Sequence, residues 1–309
     1  MTTTLELITF PGPGMLPIWI AEEKGFFKDP ALSVNVTPTP GSAYQIQHTV
    51  AGDFQIASTA IDNVVAYQEG QGVIALDREP DLFVFMGNRK HIVLDLMVAP
   101  QINSYEDLRG KSFALDALTT GYAFVLRHML EKNGLPPGSY EMAPVGGTGE
   151  RLDSLIKGEH VAALLNPPFT SRALEAGLKV LDTGGDALEH YQGNTLAASR
   201  AWATSNRPVL VEFIRGFLRG LAFLGDEGNR ADCVDILVKH AKNLKPEAAQ
   251  GQIKGLLGKN GFSDRAALDM EGVKTVLELR SAYGEPQKAL TDPMKYIDLS
   301  YYEEALASL

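Results

Sequence analysis

Residues 112–130 read SFALDALTTGYAFVLRHML. The run 112–118 predicts a short strand, a small polar turn follows, and an amphipathic helix starts at the two threonines. A strand that feeds a helix through a polar turn is the repeating unit of an α/β fold. The same turn leaves helix-start N–H groups beside the hydroxyls of Thr119 and Thr120 and next to Gly121. No lysine is present there to hold a phosphate. Unpaired N–H groups and the positive end of a helix dipole attract anions or carbonyls. The dipole alone contributes about 0.3–1 kcal/mol at an exposed position, so side-chain hydrogen bonds and burial must add to it.

The same rhythm extends outward in both directions. Strands are predicted at 5–10, 33–39, 55–60, 81–87, 92–98, 140–145, 161–166, 178–184 and 195–200, with helical stretches between most of them. This indicates parallel sheets wrapped by helices. After residue 204 the chain turns helical. Leu210, Phe213, Ile214, Phe217 and Leu221 recur at helical spacing behind Pro208, and further helices are expected at 229–241, 245–257 and 268–283.

Two long strand-like runs, HIVLDLMVAP (91–100) and NTLAASRAWA (194–203), are candidate crossovers between two sheets. The expected division is one lobe from 1–94 and 197–309 and a second lobe from 95–196. Ligands of open α/β sheets bind beyond the carboxyl ends of strands, so strand-to-helix turns should line the cleft between the lobes.

Composition bounds the function. The chain has 309 residues, 45% of them hydrophobic and 21% charged, which suits two globular domains. A net charge of −10 argues against nucleic acid as the main partner. Cys233 is the only cysteine, which excludes an internal disulfide and a thiolate metal cluster; in ADCVDILVKH it reads as a packed small side chain. The start, MTTTLELITF, lacks a basic and then apolar leader. Two readings follow, a removed signal peptide or a cytoplasmic protein.

Each predicted turn offers candidate contacts. The segment 10–15, FPGPGM, is a fixed turn where the backbone at Gly14 and Met15 can approach a ligand. In PGSAYQ (40–45), Tyr44 and Gln45 fall in the first helical turn, with His48 read as facing outward. The strand end at Ser58 and Thr59 leads to Asp62, which either caps the next helix or accepts from a ligand. The helix mouth supplies Asp116, Thr119, Thr120 and Tyr122. GGTGER (146–151) resembles a phosphate loop only superficially, since it lacks the Gly-Lys-Ser/Thr ending. Asn166, Pro168 and Phe169 form a shaped wall without charge. His91 opens the first crossover and either points into the cleft or is satisfied by backbone.

Enzymatic machinery is sparse. The six histidines show no HxxxH or HxH spacing, and no GxSxG turn is present. No catalytic residue, metal or cofactor is expected.

Several segments resemble a known family. LPIWIAEEKGFFKDPALSVNV, AGDFQIASTAIDNVVAYQEGQG, SYEDLRGKSFALDALTTGYAFVLRHMLEKNGL with LDSLIKGEHVAALLNPPF, and RAWATSNRPVLVEFIRGFLRG are similar to the NMT1/THI5-like group. This group comprises periplasmic substrate-binding proteins for sulfonates, nitrate and thiamine precursors. The resemblance implies a type II periplasmic binding protein with two α/β lobes and two hinge crossovers. It would be a monomer that delivers a small ligand to an ABC transporter permease, with a periplasmic or alternatively a cytoplasmic location. It carries ligand contacts onto Gly14, Met15, Thr59, Asp62, Thr119, Thr120, Tyr122, Asn166 and Pro168. Tyr44, Tyr122 and Phe169 are the candidate rings. These matched contact positions include no arginine, so a sulfonate or nitrate, a carboxylate and a neutral aromatic ring all stay open. The same scaffold also carries enzymes: desulfinases, decarboxylases, a dehydratase of menaquinone synthesis and the fungal thiamine-pyrimidine synthase. The iron-binding cysteine motif of that synthase is absent here.

Overall fold

The structure is a computed structural model that describes residues 2–28, 30–89, 91–241 and 244–309. The elements in chain order are β1 (Thr3–Thr9), α1 (Leu16–Glu23), β2 (Leu32–Pro38), α2 (Ser42–Ala51), β3 (Ile56–Ala60), α3 (Ile61–Gln68) and β4 (Leu82–Gly87). After the first crossover come β5 (Asp95–Val98), β6 (Ser112–Leu115), α4 (Gly121–Lys132), β7 (Glu141–Pro144), α5 (Thr148–Ile156), β8 (Ala162–Leu165), α6 (Phe169–Glu175), β9 (Lys179–Thr183) and α7 (Gly184–Ala187). The chain then returns through β10 (Asn194–Ser199) to α8 (Arg200–Ser205), α9 (Arg207–Gly225), α10 (Arg230–His240), α11 (Pro246–Leu257), α12 (Met270–Tyr283) and α13 (Ser300–Ala307).

Two five-stranded sheets result, ordered β2-β1-β3-β10-β4 and β7-β6-β8-β5-β9. Neither is purely parallel, contrary to the sequence expectation. β10 runs antiparallel to β3 and β4, and β5 runs antiparallel to β8 and β9. The reason lies in the route of the chain. A strand that arrives through a crossover enters its sheet at the hinge end, where the other strands finish. The chain crosses between β4 and β5 and returns between α7 and β10. The strand-like runs expected to cross instead supply β5 and β10, and the crossing segments precede them. The expected boundary at 196/197 cuts through β10, which pairs with β3 and β4 from Asn194 onward.

Three apolar clusters hold this arrangement. One packs α1, α9, α10 and α13 on the first sheet through Leu5, Leu7, Phe85, Phe213, Phe217 and Tyr301. A smaller one covers the outer face of the second sheet through Met97, Leu152, Leu165 and Ala173. The third runs without a break from Ile61, Val64 and Val84 through Ile92 and Leu94 of the crossover to Phe113, Phe124 and Met129, with α12 supplying Val273, Val276 and Leu277. Burying a side chain such as Phe or Leu contributes about 1.5–3 kcal/mol, so this cluster sets the lobes firmly against each other on one side of the hinge. The carboxyl ends of β3 and β6 then lie at the hinge, where the starts of α3 and α4 that follow them meet.

Candidate functional site

The two lobes touch where β3 gives way to α3 and β6 to α4. Asp62, in the first turn of α3, accepts a hydrogen bond from the backbone N–H of Gly121 at 2.8 Å. A Cβ at Gly121 would lie 2.4 Å from Asp62 Cγ, so this approach requires glycine. The same carboxylate takes two bonds from Arg280 of α12, Nε to Oδ1 at 2.6 Å and Nη2 to Oδ2 at 2.8 Å. Arg280 also donates to the Thr119 carbonyl at 3.2 Å and to Gln71 Oε1 at 3.2 Å. Asp62 is 3% exposed and Arg280 1%. A bidentate, buried pair is strong when both partners are present. The aspartate read from sequence as a cap or a ligand acceptor is instead an interlobe tie, and its carboxylate is fully engaged.

The helix mouth is likewise largely self-satisfied. Thr120 caps α4, its hydroxyl oxygen accepting from Ala123 N at 3.4 Å and its O–H donating to Asp116 Oδ1 at 2.8 Å. Thr119, Asp116 and Tyr122 are half-buried at this junction. Burial is the largest influence raising the Tyr122 phenol above its ordinary range, and Arg89, Asp116, Asp62 and Arg151 all lie near enough to act on it. Tyr122 is thus a neutral hydroxyl among charges drawn from both lobes.

Arg89 is the residue missed by reading only strand-to-helix turns. It lies on the first crossover, in GNRKH, with its backbone N–H donating to Asn194 O at 3.3 Å and its carbonyl accepting from Gln192 Nε2 at 3.0 Å. Its guanidinium reaches the turn after β1, with Nη2 3.9 Å from where a Gly14 Cβ would stand. Among the described residues, no carboxylate comes within ion-pair distance of it. Burial holds its pKa below the usual arginine range, and Tyr122 is the neighbour that opposes this. An arginine keeps its charge under such a shift. A half-buried cation with five donors and, among the described residues, no counter-ion stands between the lobes. The sequence signal was the basic pair at the end of an apolar strand, outside any helix start.

The wall of the second lobe is polar and oriented. Arg151 is buried and donates to the Leu164 carbonyl at 2.6 Å, the Gly147 carbonyl at 3.4 Å and Thr148 Oγ1 at 2.9 Å. The Thr148 hydroxyl donates to Asn166 Oδ1 at 3.2 Å. With its carbonyl thus engaged, the Asn166 amide N–H groups are the donors it has to offer. Phe169 is half-buried and lies 3.6 Å from a Cβ position at Gly149, while Pro168 is exposed beyond a cis Pro167–Pro168 bond.

In the first lobe, Gln45 and Tyr44 of α2 part ways. Gln45 is fully buried, and its Nε2 donates to the Ile8 and Ser58 carbonyls at 3.2 and 3.0 Å, beside the carboxyl ends of β1 and β3. Its Oε1 is buried with no hydrogen-bond partner among the described residues. Tyr44 is exposed and stacks on His48, one turn further along the same helix face, at 3.9 Å between ring centres. Met15 is buried in the first-lobe core, and Thr59 is fully buried with its hydroxyl accepting from Asn63. Neither presents a side chain to solvent. His91 is half-buried on the crossover, with its carbonyl beside Gly193 of the returning segment. Of the residues read from sequence, the structure gathers Gly14, Asp62, Thr119, Thr120 and Tyr122 around Arg89 and Arg280. It sets Asn166 and Phe169 on the second-lobe wall, buries the Met15 and Thr59 side chains in the first lobe, and leaves Tyr44 exposed. Cys233 is buried in α10 within the first-lobe core, where burial pushes its thiol up, away from a reactive thiolate. Among the described residues, no helix is long and apolar enough to cross a membrane.

Comparison with known proteins matches this architecture. The chain is similar in structure to the ligand-binding component of an ABC-type import system from Staphylococcus aureus (TM-score 0.78, 13% identity, 98% of this chain and 99% of that one). It is also similar to the periplasmic nitrate-binding protein NrtA of Synechocystis PCC 6803 (0.78, 14%, 100% and 89%). A third likeness is to the alkanesulfonate-binding protein SsuA of Xanthomonas axonopodis pv. citri bound to MOPS (0.71, 15%, 96% and 98%). Among curated proteins, none matches the chain in sequence. The fold is the two-lobed one of type II periplasmic binding proteins. The family model described as NMT1/THI5 like matches residues 12–231, well over half of the length, and the chain therefore belongs to the NMT1/THI5-like family.

Proposed function

We propose that this protein is a solute-binding protein that takes a small organic anion between its lobes and delivers it to an ABC importer at the outer face of a membrane. The observation that carries the reading is Arg89, a half-buried guanidinium that has no carboxylate partner among the described residues and lies beside the Gly14 turn and near Tyr122. An unpaired charge costs free energy to keep out of water, and an anionic ligand removes that cost by supplying the missing partner. The fixed turn at Gly14, the Tyr122 hydroxyl and the Asn166 amide add neutral hydrogen-bonding groups around the anion. The likeness to binding components of import systems supports transport rather than turnover. Carrying the ligand unchanged calls for binding groups only, and Arg89, Tyr122 and Asn166 are of that kind.

The test is calorimetric titration of ethanesulfonate, propionate and nitrate into wild type and Arg89→Gln. Micromolar binding corresponds to about −8 kcal/mol. Loss of a charged hydrogen bond removes about 1.5–3 kcal/mol, so at least one anion should bind wild type and weaken roughly ten- to hundredfold in the variant. Equal affinity in both proteins would remove Arg89 from the site and the reading with it.

A further inference from the structure

The backbone of Arg89 is clamped by the segment that returns to β10. Gln192 on that segment is fully buried. Its Nε2 donates to the Arg89 carbonyl at 3.0 Å and to the Asn194 carbonyl at 3.1 Å. The Asn194 carbonyl also accepts from the Arg89 N–H, at 3.3 Å. The N–H and the carbonyl of Arg89 are thus both bonded to the returning segment. Asn88, the residue before it, is fixed likewise: its Nδ2 donates to Asn194 Oδ1 at 2.8 Å and its carbonyl accepts from Ser263 N at 3.0 Å.

Gln192 is itself held from behind. Its Oε1 accepts at 2.8 Å from the backbone N–H of Asp269, the residue that caps α12. Gly272, in the first turn of α12, packs on the same segment so closely that a Cβ there would lie 2.4 Å from Gln192 N. Exchanging the oxygen and nitrogen of the Gln192 amide would set acceptors against two carbonyls and donors against an N–H, so its orientation is fixed. A desolvated guanidinium with no carboxylate beside it gains free energy by moving out to water, and a long side chain has the rotamer freedom to do so. Arg89 is such a group among the described residues. A backbone that does not yield opposes that escape.

We infer that Gln192 is a positioning residue for anion capture, locking the Arg89 backbone so that the guanidinium stands beside the Gly14 turn before an anion arrives. This rests on the anion-binding reading above and adds the residue that prepares the site. A group ordered in advance spares the ligand the cost of ordering it, which for one long side chain is about two- to tenfold in affinity. Gln192 does this without touching the anion, since its amide is spent on the chain.

The experiment joins binding to order on the intact protein. Calorimetry titrates ethanesulfonate, propionate and nitrate into wild type, Gln192→Met, Arg89→Gln and the double variant. An anion that binds wild type should weaken about two- to tenfold in Gln192→Met. The double variant should bind no more weakly than Arg89→Gln alone, because nothing is left to position. A Gln192→Met protein that binds like wild type would overturn the inference. Losses that multiply in the double variant would also overturn it, since Gln192 would then act on its own; both outcomes leave Arg89 holding the anion. Nitrogen-15 relaxation of the Arg89 Nε–H in ligand-free wild type needs no variant. A side chain as ordered as the backbone is the expected result, and free motion there would overturn the inference even if Gln192→Met failed to fold. Absence of binding by every anion, or equal binding by wild type and Arg89→Gln, would defeat the anion-binding reading and this inference with it.

Discussion

At the scale of single residues, the junction between the lobes sorts its charges into two kinds. Asp62 and Arg280 are buried and bonded to each other, and they anchor Gly121 and Thr119 of the second lobe. Arg89 and Asp95 are half-buried and lack opposite charges among the described residues. The first pair is bonded across the junction, and the second two residues keep charges without an opposite charge beside them among the described residues. Removing one member of a buried pair strands the other and costs about 3–5 kcal/mol. Arg280→Met should lower unfolding stability by that amount in urea titrations; a loss under 1 kcal/mol would mean that the tie contributes little. At this scale the sequence was only partly legible. Asp62 stood out as a turn aspartate, but its partner lies 218 residues away, on a helix that its local pattern marks only as amphipathic. Arg89 lies outside every strand-to-helix turn, and its one local mark, a basic pair after an apolar strand, does not tell a cleft-facing side chain from a solvated one.

At the scale of elements, the periodicity of the chain gave most positions to within a few residues. The helices expected at 229–241, 245–257 and 268–283 are α10, α11 and α12. The strand expected over 112–118 stops at Leu115, because Asp116 accepts from Thr120 and turns the chain toward the cap of α4. What periodicity could not supply was strand direction, since alternation is the same for a strand read either way. The antiparallel settings of β5 and β10 follow from the crossovers, a long-range property. Close packing of α9 on α1 is a second such property. A Cβ on Gly220 would stand 2.0 Å from the Pro17 carbonyl oxygen, so the helices approach over a missing side chain. Alanine for glycine inside a helix ordinarily stabilises by about 1 kcal/mol. Gly220→Ala should instead destabilise by about 1–3 kcal/mol through overpacking. Chemical denaturation that showed a gain would refute the tight contact.

At the scale of the molecule, two sheets meet with strand ends facing, tied by Asp62 and backed by one apolar cluster that crosses the hinge. The α/β rhythm and the resemblance of long segments made this two-lobed fold readable from sequence, and the family match over residues 12–231 agrees with it. The ligand's charge was not readable, because it depends on which side chains remain unpaired after folding. The central claim is that Arg89 holds an anion between the lobes. Native mass spectrometry of the protein as purified from cells tests it most directly, comparing wild type with Arg89→Gln. The account predicts that wild type carries one additional small anionic molecule, released on denaturation, and that the variant carries none. The same bound mass on both proteins would contradict it.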